Sequence, residues 1–219
     1  MARSAERLVV GPSVLLEVRN LGARFGDIAL FSGVDVVLEP GVVLVVESEI
    51  ELARTTFLEL VAGITMPTTG SIAVNGAPVG GGLAGQVASV LHDEGFPQDE
   101  PVAVHLQRVL ADYAADPVAA AVQLLERVRL THRAEHEPWA MSAGEYRRIA
   151  LELAFSVPKK LLVLDEPERR LDRPSVEWVI ESVRAQVAGG AAVVLATYDE
   201  RLGDLATRRL ELVSRTEMS

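Results

Sequence analysis

Leu161-Leu162-Val163-Leu164-Asp165-Glu166-Pro167 ends an apolar run in two adjacent carboxylates and a proline. Four consecutive aliphatic residues fit a strand buried on both faces, the kind found in parallel sheets. Such a strand delivers its terminal carboxylates to the crevice at the carboxyl edge of the sheet, where open α/β folds bind ligands. One carboxylate can hold Mg²⁺ through water, and its neighbour can orient a nucleophilic water. Taken alone, the string also fits a structural turn, so its surroundings decide.

Leu15 to Val18 and Val34 to Leu38 read as short strands, the second closed by the Pro40-Gly41 turn signal. Val42 to Val46 is another buried apolar strand, and Thr55 to Ala62 carries a helical pattern stopped by Gly63. Past Pro167 the same grammar returns: Pro174 to Val187 predicts a helix and Ala191 to Ala196 a buried strand. Pro101 to Leu110, Pro117 to Leu130 and Ser142 to Phe155 predict helices, two of them opened by a proline at a first-turn position. The expected architecture is a parallel α/β core with a helical insertion.

The chain has 219 residues, enough for one large domain that buries roughly 70% of its unfolded surface. It holds no cysteine, which excludes disulfides, thiolate metal sites and a cysteine nucleophile. A formal charge of −10 opposes binding to bare phosphate backbones, so no nucleic-acid partner is expected. Leu60 to His92 carries no charged residue, but Pro67, Pro78 and glycines at 63, 70, 76, 80, 81, 82 and 85 prevent one continuous spanning helix. Leu8 to Val10, behind Arg3, Glu6 and Arg7, is too short for a signal-peptide core, and a cytoplasmic protein is expected.

Upstream of the carboxylate strand stands Met141-Ser142-Ala143-Gly144-Glu145, opening a helix that continues Tyr146-Arg147-Arg148; downstream comes Leu171-Asp172. This order and spacing resemble the ATP-binding subunit of ABC transporters over nearly the whole chain. The resemblance makes Asp165-Glu166 the Walker B carboxylates, Ser142 to Glu145 the signature motif and Asp172 the D-loop. It also aligns Gly63 to Ile72 with the family's segment after the first helix, and Phe25 with its adenine-stacking aromatic. What it implies is a P-loop NTPase-type parallel-sheet core (1–91 and 159–219) with an antiparallel β-subdomain, and a helical subdomain over 92–158. Ser142 with Glu145 is equally a capping box, and both readings hold together: a capped helix N-terminus suits a phosphate.

The resemblance breaks at the phosphate loop. A working loop closes glycine N–H groups around phosphates and follows them with Lys and Ser or Thr. Against the pattern GxxGxGK[ST]T the chain offers Ser48-Glu49-Ile50-Glu51-Leu52-Ala53-Arg54-Thr55-Thr56, without any glycine and with Arg54 for lysine. Ile50, Leu52 and Ala53 resist positive φ at roughly 1 kcal/mol or more each. Glu47, Glu49 and Glu51 add like charge near a triphosphate, about 4 kcal/mol for a pair at about 4 Å and surface-like dielectric. A glutamate of this loop is expected to fill the anion site at the helix N-terminus, paired with Arg54. Two more departures follow, His92 at the family's Gln position and Tyr198, a phenol, at its switch histidine.

The damage is one-sided. Groups that would bind ATP in cis (Arg54, Thr55, Thr56, with Mg²⁺ on Thr55 and Asp165) sit in a degenerate frame that leaves Glu166 idle. Ser142, Ala143, Gly144 and Glu145, offered in trans to a partner's ATP, are nearly whole. The expectation is a degenerate cassette that completes the ATP and Mg²⁺ site of a second ATP-binding subunit with an intact Walker A, on the cytoplasmic face of a transmembrane permease. The alternatives are a scaffold that binds no nucleotide and an active ATPase with an unorthodox loop. Phe96 to Leu106 lies where the family docks its membrane partner, and equally fits an ordinary loop. His132 and His136 read as a polar turn rather than a metal site. Arg169-Arg170 and Arg208-Arg209 read as solvated surface.

Overall fold

The computed structural model describes residues 14–79, 85–92 and 96–213. The readings at Arg3 to Val10 and at glycines 80, 81 and 82 lie outside them. An antiparallel sheet is built from β1 (Leu16–Phe25), β2 (Ile28–Leu38), β4 (Thr69–Val74) and the two-residue β5 (Ala77–Pro78), in the order β2-β1-β4-β5. A parallel sheet joins β3 (Val43–Glu47), β6 (Val87–Val90), β7 (Leu161–Asp165), β8 (Ala192–Ala196) and β9 (Arg208–Glu211), in the order β6-β7-β8-β3-β9. The fold is thus mixed α/β with a parallel core and an antiparallel subdomain, as the sequence predicts.

Side chains alternate between the two faces of the parallel sheet, and the core divides accordingly. Leu44, Val46, Leu161, Val163 and Val194 face α1 (Glu51–Ala62) and the antiparallel sheet, in one cluster with Phe57, Leu58 and Phe31. Val43, Val45, Leu162, Leu164, Val193 and Leu195 face the opposite way. They meet Leu151 and Phe155 of α4 (Ala143–Ser156) and Val176, Val179 and Val183 of α5 (Arg173–Ala188). β7 and β8 are buried at every residue, which explains their unbroken aliphatic runs. A third cluster joins α2 (Val102–Leu110), α3 (Pro117–Arg127) and Ile149 of α4 around Leu106, Leu124 and Leu125.

Three differences from the sequence reading matter. α1 starts at Glu51, one turn before the expected Thr55, with Ile50 as an N-cap that makes no side-chain bond. β9 went unread because Arg208 and Arg209 lack strand patterning; its backbone pairs with β3 at the sheet edge. Those arginines are not simply solvated: Arg209 pairs with Glu47, and Arg208 donates to the Val37 carbonyl. His132 lies in a single 3₁₀ turn, Thr131–Arg133, so the two histidines do not share one helix. Among the described residues no group of three or more His, Asp or Glu side chains could hold a metal, and no helix is long and apolar enough to cross a membrane.

Candidate functional site

Strand register assembles the site. Leu164 lies across from Val90 on one side and Leu195 on the other, and Leu195 faces Val45. The carboxyl ends of β6, β7, β8 and β3 therefore stop side by side. Their following residues, His92, Asp165 and Glu166, Tyr198, and the 48–54 segment, gather at one edge.

In the 48–54 segment the cradle is gone. The N–H groups of Ala53 and Arg54 both turn back to the Ile50 carbonyl, at 3.0 and 3.4 Å, as the first turn of α1. Among the described residues, none from 47 to 56 takes a positive φ. Without glycine, Glu51, Leu52 and Ala53 adopt the right-handed helix they prefer, and the Ala53 and Arg54 amides are spent on the helix.

Arg54 is buried and is the hub of what replaces the nest. Its guanidinium donates to the Ser48 carbonyl at 3.0 Å, reaches Glu166 Oε1 at 3.5 Å and bonds the Tyr198 hydroxyl. Its central carbon lies 4.4 Å from the Tyr198 ring centroid, a cation–π contact. The Arg54 and Glu166 side chains are only 8% and 10% exposed, so this ion pair is desolvated. The expected loop glutamate is therefore not Arg54's partner. Glu47 turns to Arg209 on β9, and Glu51 stands exposed in the first turn of α1. The carboxylate comes from the end of β7 because Glu166, at φ 44°, turns out of the strand line, held by its own N–H on the Ala196 carbonyl at 2.9 Å.

Thr55 Oγ1 donates to Asp165 Oδ2 at 2.8 Å. Burial pushes the Asp165 carboxyl up, against the Thr55 hydroxyl, His92 and the charges of Arg54 and Arg147. These two groups are the right donors for Mg²⁺, but a Mg²⁺-triphosphate does not fit here. The Ala53 and Arg54 amides are turned into the first turn of α1, and Arg54 is held by three protein groups. Thr56 follows half-buried on α1, and Phe25 is 64% exposed at the end of β1, free on one side for stacking.

Two arginines were missed. Arg147, buried on α4, donates to the Leu91 carbonyl at 2.9 Å and the Glu166 carbonyl at 2.9 Å, and also bonds the Asp165 carbonyl. It ties α4 to the ends of β6 and β7, and its position one turn into a helix opened by a capping box is the signal that could have singled it out. Arg169 is no solvated pair member: it contacts the His92 ring and lies 3.6 Å from Glu166.

At the start of α4, Ser142 caps the helix and forms the full capping box. Its hydroxyl accepts from the Glu145 N–H at 3.2 Å, while Glu145 Oε2 accepts from the Ser142 N–H at 2.9 Å. That backbone bond, with help from the Arg133 fork, holds the Glu145 carboxyl down at about 2. A carboxyl depressed below its ordinary value stabilises the fold above that value and loses the contribution as pH falls toward the folded pKa. Urea midpoints measured from about pH 5 down to about pH 2.5 should therefore fall less steeply in Glu145→Gln than in the unaltered chain.

Gly144 has an internal reason to be glycine: a Cβ there would lie 2.8 Å from the Arg170 carbonyl. Gly144→Ala is expected to destabilise the isolated chain by about 1–3 kcal/mol through this clash, read by urea denaturation. Ala143 is the first residue of α4, and Asp172 caps α5 by accepting from the Ser175 N–H at 3.0 Å.

A parallel sheet whose carboxyl-end loops converge beside a capped helix, flanked by an antiparallel sheet and a helical cluster, defines a nucleotide-binding cassette architecture. The comparisons name it. A family model described as ABC transporter matches residues 54–169, beginning at the last residue of the altered 48–54 segment. The chain is 30% identical over 184 residues to the cytochrome c biogenesis ATP-binding export protein CcmA of Ruegeria sp., covering 84% of this chain and 85% of that one. It is 32% identical over 197 residues to a putative ABC transporter ATP-binding protein of Halobacterium salinarum, covering 85% and 84%. Among solved structures, an ATP-binding subunit of an ABC transporter matches with a TM-score of 0.81 at 22% identity over 91% of this chain and 86% of that one. A dimeric ATP-binding cassette in a post-hydrolysis state with ADP and phosphate matches with a TM-score of 0.81 at 16% identity, covering 91% and 95%. The chain belongs to the ABC transporter family.

Proposed function

We infer that this chain is an ATP-binding-cassette subunit of a transporter complex whose own nucleotide site is degenerate. It supplies Ser142, Ala143, Gly144 and Glu145 in trans to the ATP and Mg²⁺ of a second ATP-binding subunit with an intact Walker A. The observation that carries this reading is the 48–54 segment: a helical turn whose Arg54 is locked to Ser48, Glu166 and Tyr198. The capped N-terminus of α4 meanwhile keeps an exposed serine and the positive end of a 14-residue helix, suited to a phosphate from outside. A cleft of about 470 Å³ between β6 and α2, bordered by Phe96, His105 and Tyr113, supports docking of a permease on the helical part. That would hold the chain on the cytoplasmic face of a membrane.

The test is a nucleotide titration of the isolated chain by calorimetry with Mg²⁺. No saturable ATP binding is expected; micromolar, Mg²⁺-dependent binding would sink the reading. A second reading, a scaffold that meets no nucleotide even in trans, is favoured by two observations: the capping box and the Arg170 carbonyl explain Ser142 and Gly144 within the monomer. The substitutions at Ser142 taken up in the Discussion separate the two.

A further inference from the structure

α3 ends on an arginine that a relaxed chain would not choose. Arg129 sits just past the Val128 cap at φ 58°, the left-handed position where glycine is unstrained. Its N–H bonds the Glu126 carbonyl at 2.9 Å, but among the described residues its guanidinium makes no hydrogen bond or ion pair. It opens onto a cleft of about 420 Å³ between the end of α3, the second turn of α4 and the start of α5. Arg127, Arg129 and Arg148 line it, with Asp172, Ser175 and Trp178 opposite.

The charges do not cancel. Arg127 pairs with Glu152 through Nε, and its Nη2 donates to Ser156 Oγ at 2.8 Å. Arg148 spends one nitrogen on the Val128 carbonyl and keeps the rest of its fork. Asp172 is committed to capping α5. Two guanidiniums thus face one carboxylate, in a chain whose net charge is −10. The far wall is Trp178, fixed edge-on to Phe155 at 5.6 Å between ring centroids and packed against both the sheet-side and helical clusters. Arginine forks match a phosphate bidentately, and a rigid indole wall takes a planar apolar group. The volume is that of a small-molecule site.

We propose that this cleft binds a small soluble phosphomonoester carrying a planar or apolar group, its phosphate on Arg129 and Arg148 and its body against Trp178. The site is separate from the nucleotide site and does not rest on the reading given for it. Because its walls are the signature helix and the helix that begins at Asp172, a bound ligand clasps those two helices together.

The test uses phenyl phosphate and the full chain carrying Trp139→Phe, so that Trp178 is the sole tryptophan reporter. Saturable change in Trp178 fluorescence is expected with a Kd below about 1 mM, weakening with added salt. Arg148→Gln, and Arg129→Asn, which suits the left-handed backbone, should each weaken binding by about tenfold. Arg129→Asn should leave the melting temperature unchanged, whereas Arg148→Gln, which also gives up the bond to the Val128 carbonyl, should lower it by no more than a few degrees. Absence of saturation, or affinity indifferent to both substitutions, overturns the proposal. So does binding to phosphatidate vesicles without binding to phenyl phosphate, which would make the ligand a membrane headgroup.

Discussion

Arg54→Ala is expected to cost the isolated chain about 1.5–3 kcal/mol, because it removes the buried partner of the Glu166 carboxylate and leaves it only the more exposed Arg169, 3.6 Å away. For a chain of this size each kcal/mol moves the melting temperature by about 2–4 °C, so the loss is plain in a thermal scan. The double change Arg54→Met with Glu166→Gln removes both charges at once and should recover most of the loss. Arg54→Lys restores the family's residue type yet should restore no ATP binding, since the 48–54 segment stays glycine-free and the amides of residues 53 and 54 remain turned onto Ile50. If Arg54→Ala shifts stability by less than about 0.5 kcal/mol, the ion pair does not lock the site as described.

The second large effect belongs to Ser142 and is read in the assembled complex. Asn caps helices about as well as Ser, so Ser142→Asn should lower the stability of this chain by no more than a few tenths of a kcal/mol and serves as the control. Ser142→Asp also sets a carboxylate beside Glu145, whose Oε2 lies 2.9 Å from the Ser142 hydroxyl, so its folding is checked by urea denaturation first. Asp, however, places a negative charge where a partner's phosphate would approach. At about 4 Å and a surface-like dielectric that costs about 4 kcal/mol, near a thousandfold in rate. Complex ATPase should therefore collapse in Ser142→Asp and barely change in Glu166→Gln, assayed on co-purified subunits. Wild-type ATPase in Ser142→Asp would favour the scaffold reading, in which the capping box is the residue's whole role.

Legibility from sequence followed physical locality. The buried strands at 43–47, 161–165 and 192–196 were readable because burial on both faces demands unbroken aliphatic runs. The Gly63 stop was readable too, since its φ of 77° suits glycine. β9 was hidden because its sequence, Arg-Arg-Leu-Glu, gives no apolar alternation, and its pairing with β3 spans more than half the chain. The loss of the phosphate loop was evident from the missing glycines, but the prediction that a neighbouring glutamate would take its place was wrong. Proximity in sequence favoured Glu47, Glu49 and Glu51; proximity in space favoured Glu166, which parallel strand register delivers from more than a hundred residues away.

Likewise, the sequence presented Ser142 and Gly144 as survivors of a trans site, and it took the packed helices to reveal what each does within its own chain. Local pattern determined the fold class, the helix boundaries near Gly63 and Asp172, and the absence of a glycine cradle, because these depend on backbone preference and burial within a few residues. Only the tertiary structure decided which carboxylate meets Arg54, why Gly144 tolerates no side chain, and that Arg129 borders a cleft with Arg148 and Trp178. Those are contacts between segments distant in the chain, fixed by sheet register and helix packing.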